Sequence, residues 1–76
     1  MAGKSKYMGV FKTNEHGWEY WVAQLVVNKT VYRKRTKDEE QAARKYDIMR
    51  MQHGMAPVNF DEEEYFYARR ASFYQK

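Results

Sequence analysis

Lys12, Thr13, Tyr20, Gln24, Arg33 and Arg35 are the residues of this 76-residue chain whose side chains could do chemistry together. What they offer is hydrogen bonding and positive charge. Arginine pairs with the O6 and N7 of guanine, glutamine with the N6 and N7 of adenine, and a two- or three-stranded ribbon fits the major groove of DNA. Lys6, Lys29 and Lys34 add charges suited to phosphates, which fix position without carrying sequence information. The formal charge of +4 and pI near 9.4 fit a polyanionic partner. An ordinary solvated sheet face is the plain alternative. Against it, Tyr20, Val22, Val26 and Val31 fall on the same side, and solvated faces rarely keep so much apolar surface.

Other chemistries find less support. His16 sits in a turn and His53 near a helix end, with no cysteine and no third ligand at metal spacing, so both read as surface histidines. Glu62, Glu63 and Glu64 fit a solvated helix N-terminus better than a metal site. There is no glycine-rich phosphate loop and no nucleophile elbow. These residues describe no enzyme and call for no cofactor. One domain at most fits this length, and without disulfides its core must come from the 17% of aromatic residues and five methionines. No run is long and apolar enough for a membrane span, and residues 1–6 lack the apolar stretch of a signal peptide. The absence of cysteine fits a reducing compartment.

To act together, the six residues need a sheet to carry them. Residues 7–12 (YMGVFK) form strands readily, with a bulge or close backbone approach expected at Gly9, and residues 14–17 (NEHG) form a turn. Trp18–Val27 is the strongest strand, with Trp21, Ala23, Leu25 and Val27 on its more apolar face. Asn28-Lys29 turns the chain, and residues 30–35 return. A two-residue turn sets Leu25 opposite Tyr32 and Gln24 opposite Arg33, so Arg33 and Arg35 face out and Tyr32 joins the core against Tyr46 or Ala42. A three-residue turn aims both arginines under the helix, and burying unpaired guanidinium groups costs far more than any turn preference. The first register is therefore expected.

The helix expected over residues 39–52 starts from a capping box of Asp38 and Gln41 and stops before Gly54. Ala42, Ala43, Tyr46 and Met49 share one face, and two small residues there let the sheet approach closely. A second helix is expected over 61–75, where Asp61 and Glu64 repeat the capping pattern. The chain thus divides into a flexible basic arm (1–6), a core (7–60) and a helical tail (61–76).

Four blocks in this order and spacing resemble a known family: Tyr7-x-Gly9-Val10, Trp21-Val22-Ala23-x-Leu25, Glu40-x-Ala42-Ala43-x-x-Tyr46-Asp47, and Gly54 followed by Ala56-x-x-Asn59-Phe60. Over residues 7–60 the chain resembles the Apetala-two/ethylene-response-factor DNA-binding domain. That resemblance implies an α+β fold, a three-stranded antiparallel sheet packed on one helix, here with a C-terminal helical extension. It implies that the sheet lies in the major groove of double-stranded DNA, and that Asp47 and Asn59 form a structural polar pair. Plant members read DNA with arginines and tryptophans on the sheet; matching positions here hold Met8, Phe11, Thr13, Gln24, Val26, Thr30 and Tyr32. The expected function is sequence-preferring DNA binding, as a module of a transcription regulator or of a mobile-element protein, nuclear, or intracellular if from a phage or bacterium. It would act as a monomer, with a protein partner through 61–76. The alternative is the same fold used for protein docking in a larger complex.

Overall fold

Alternation along Trp18–Val27 gives that segment one apolar face, and in a computed structural model, which describes residues 3–65, it is the longest strand. The elements in chain order are β1 (Gly3–Lys4), β2 (Val10–Glu15), β3 (Trp18–Val27), β4 (Thr30–Thr36) and α1 (Glu39–Gln52). All strands pair antiparallel in the order β1-β2-β3-β4, and α1 packs on one side of this sheet, an α+β fold. The three long strands are those expected. The short β1 is not: Gly3 and Lys4 pair with Lys12 and Phe11, so the basic arm contributes to the sheet. A helical turn follows at residues 62–65. The remainder of the expected tail helix lies outside the described residues.

Two tight hairpin turns set the register. His16 and Gly17 join β2 to β3 with φ of 54° and 82°, while Asn28 and Lys29 join β3 to β4 with φ of 49° and 67°. Positive φ at both central residues is the two-residue turn whose twist matches the strands it joins. Leu25 consequently sits opposite Tyr32, Gln24 opposite Arg33 and Val22 opposite Arg35, the register expected from the cost of burying arginine. The first strand is shifted relative to the sequence reading, from 7–12 to Val10–Glu15. Its start is set by Gly9, whose φ of +74° ends the strand geometry, and its end by the shorter turn.

The core lies between α1 and the inner sheet face. Ala42, Ala43, Tyr46 and Met49 meet Val10, Ala23 and Leu25, with Tyr7, Trp21, Val27, Met55 and Phe60 around them. Burying a residue such as Leu25 contributes about 1.5–3 kcal/mol, so a core this small depends on close fit. Tyr32 departs from expectation. It points to the helix side but stays 37% exposed, with its ring 4.7 Å from that of His53 rather than buried against Tyr46 or Ala42. As an edge-strand residue it lies beside His53, the cap at the C-terminal end of α1.

The helix ends follow from local chemistry. Asp38 accepts a hydrogen bond from the Gln41 backbone N–H at 2.9 Å. The expected return bond from Gln41 is replaced: the Asp38 N–H donates to Thr36 Oγ1 at 2.8 Å. At the other end Gly54 adopts φ +79°, and the Gly54 and Met55 N–H groups donate to the Met51 and Arg50 carbonyls. Glu64 likewise does not cap residues 62–65 with its side chain, which instead pairs with Arg44 at 3.1 Å.

Asp47 ties the segment after α1 to the core. It is fully buried, and its side chain accepts from the backbone N–H groups of Val58, Asn59 and Phe60 at 3.0–3.2 Å and from the Tyr65 hydroxyl at 2.6 Å. Asn59 then clamps the start of β2, with Met8 N–H donating to its Oδ1 at 2.7 Å and its Nδ2 donating to the Met8 and Ala43 carbonyls. The pair fixes backbone, as the resemblance implies. Through Tyr65 and Glu64, the first turn of the tail also belongs to this unit.

Burial raises the Tyr65 phenol above its ordinary value of 10.0, and donation to Asp47 adds to the effect. A raised phenol favours the folded state while neutral, so its contribution is complete below pH about 10 and is lost as pH rises through the folded value. Urea unfolding from pH 8 upward should therefore show wild type losing stability more steeply above pH 10 than Tyr65→Phe. Parallel curves would remove Tyr65 from the buried network.

Candidate nucleic-acid interface

Successive strand residues point to opposite faces, so the face of the sheet away from α1 can be read outward from Val10, Ala23 and Leu25 in the core. It carries Phe11, Thr13 and Glu15 from β2, Trp18, Tyr20, Val22, Gln24 and Val26 from β3, and Val31, Arg33 and Arg35 from β4. Phe11, Thr13, Glu15, Val22, Arg33 and Arg35 line an open groove of about 590 Å³ along this face. Val22 lies at its floor, buried between the neighbouring side chains although α1 packs on the opposite face. Val26 and Val31 are 56% and 49% exposed beside the β3–β4 turn.

Five of the six expected contact residues come together here: Thr13, Tyr20, Gln24, Arg33 and Arg35. Lys12 does not. Adjacent to Thr13 in the strand, it must face the other way, and it is opposite Trp21 on the helix side. Its Nζ lies 5.5 Å from the Trp21 ring centroid and 3.2 Å from Glu19 Oε1. Lys34 is on the helix side for the same reason, opposite Ala23. Lys29 occupies the β3–β4 turn, and Lys6 stands 5.4 Å from the Tyr7 ring, outside the groove lining.

The two arginines are held differently. Arg33 Nε donates to Gln24 Oε1 at 2.7 Å, which leaves the terminal nitrogens of Arg33 with no hydrogen-bond partner among the described residues. Such a fork matches the O6 and N7 of guanine. Gln24 accepts from Arg33 through Oε1 and so supports that arginine. The Arg35 guanidinium lies 4.9 Å from the Tyr20 ring centroid and is paired with Glu15 across β3. Glu15 and Phe11 were not among the expected site residues. Counting by twos from Thr13 places both on this face, and the shorter hairpin turn brings Glu15 into the strand.

On this face two guanidinium groups stand against one carboxylate, with hydroxyl, amide and phenol groups between them. The arrangement suits binding rather than reaction. Among the described residues no three His, Cys, Asp or Glu side chains are grouped to hold a metal ion, and no helix is long and apolar enough to cross a membrane. No protein-family model, curated protein or solved structure matches this chain.

Proposed function

We propose that this domain binds double-stranded DNA by laying the sheet face away from α1 in the major groove, as an Apetala-two/ethylene-response-factor-like module. The observation that carries the proposal is the β3–β4 register, which places Gln24, Arg33 and Arg35 together on the open face. Arg33 reads a base edge, supported by Gln24, and Arg35 adds a second guanidinium beside Tyr20 and Thr13. Lys29 at the turn and Lys6 before β2 supply phosphate contacts at the margins. Lys12 and Lys34, on the other face, carry no such role. The setting is a nuclear transcription regulator or a mobile-element protein, with no catalytic step of the domain's own.

A second reading is favoured by the exposed Val26 and Val31 with Phe11 in the groove lining: the same face docks a protein. Selection from a random duplex library, followed by affinity measured from 50 to 200 mM salt, separates the two. DNA binding yields an enriched motif and affinity that falls steeply with salt. No motif, with weak retention that salt does not alter, would favour docking through the valines.

A further inference from the structure

Arg33 and Arg35 leave the same strand toward the same face, yet Arg33 is held by a neutral amide and Arg35 by an acid. We infer that Glu15 is a specificity-determining residue of this face: its carboxylate holds Arg35 until the edge of a G·C base pair replaces it. The inference rests on the DNA-binding proposal above. Arg35 lies along the sheet over Tyr20 and reaches past β3 to Glu15 on β2, so its guanidinium already has an anionic partner.

Non-specific association draws on phosphates alone. To reach a phosphate, Arg35 must leave Glu15, and the carboxylate then remains without a partner in the negative potential of the duplex. A G·C pair in the major groove answers both groups at once. Guanine O6 and N7 accept from arginine, and the cytosine N4 amino group donates to a carboxylate. The ion pair is therefore exchanged most fully where such a base pair lies beneath it. Adenine N6 also donates to a carboxylate, but an A·T pair offers arginine no O6/N7 fork, and away from either amino group the carboxylate is left uncompensated. Both side chains are about half exposed, at 53% and 52%, so the pair is weak in the free domain. Its discrimination comes from the stranded carboxylate, not from the strength of the bond. Glu15 stands at the last ladder position before the His16-Gly17 turn, which fixes the cytosine contact at the hairpin end of the face.

The test uses the whole chain carrying Glu15→Gln, with Glu15→Ala as a second variant that lacks the new amide. Fluorescence anisotropy is read on two labelled duplexes, one of the selected motif and one of random sequence, at several salt concentrations. Thermal melts show that both variants are folded. With Glu15 neutralised, random duplex should bind about fivefold tighter, on the scale of releasing one exposed ion pair. The salt slope on random duplex should steepen by about one unit as Arg35 becomes free for a phosphate. Affinity for the selected motif should not rise in step, because the cytosine contact of Glu15 is lost together with the ion pair, so that the ratio of the two falls by about fivefold or more. An unchanged ratio in both variants, with wild type still preferring its motif, would overturn the role of Glu15 and leave DNA binding standing. Wild type without salt-dependent binding or preference would overturn DNA binding itself, and the role of Glu15 with it.

Discussion

Asp47→Ala should leave the domain barely folded. The side chain is fully buried and serves four donors, the backbone N–H groups of Val58, Asn59 and Phe60 and the Tyr65 hydroxyl. A buried donor left without an acceptor costs about 1–3 kcal/mol. Some of these groups can reach water after truncation, so the expected total is about 3–5 kcal/mol rather than the full sum. At roughly 0.05–0.15 kcal/mol per residue, a chain of this length has only about 4–11 kcal/mol in all. Asp47→Asn should rescue little, because its amide turns a donor toward other donors. Urea unfolding should give a midpoint far below wild type for both variants. A midpoint equal to wild type would show that water or other acceptors serve these groups equally well.

Gly9→Ala should be nearly as damaging for a different reason. A Cβ built on Gly9 would stand 2.1–2.4 Å from ring atoms of Tyr46, and the backbone there has φ +74°. A left-handed φ costs a residue with a side chain about 1–2 kcal/mol. Overpacking a fitted core adds about 1–3 kcal/mol or more. Tyr46 is buried and cannot swing away without opening the contact between α1 and β2. The melting temperature should fall by more than about 10 °C. In the Tyr46→Ala background the same substitution should cost much less, because only the backbone term is left. Additive losses in the double variant would mean that the ring and Gly9 do not touch.

Gly9 also shows which features were legible in the sequence. A lone glycine among strand formers announces a close approach, and the paired alanines Ala42 and Ala43 announce the surface that the sheet meets. The β3–β4 register was legible because only one turn length keeps Arg33 and Arg35 out of the core. Lys12 was misplaced by grouping it with Thr13, although neighbours in a strand cannot share a face. Glu15 was missed because its segment reads by composition as a turn, and only the two-residue hairpin at His16-Gly17 returns it to the sheet. Tyr32 shows the limit of face assignment: pattern gives the side but not how far the helix extends over it. The bond from Tyr65 to Asp47 joins residues whose proximity no local pattern encodes.

We propose above all that the sheet face away from α1 contacts DNA through its arginines. The direct measurement is affinity for the selected duplex, against salt, of the Arg33→Ala, Arg35→Ala double variant beside Lys12→Ala. Each arginine removed should cost about 1–3 kcal/mol, so the double variant should bind more weakly by about thirtyfold or more, with a salt slope shallower by up to about two units. Lys12 points to the opposite face, so its variant should match wild type in both affinity and slope. Unchanged affinity in the double variant, or a loss confined to Lys12→Ala, would contradict the assignment and leave the open face as a surface for docking protein.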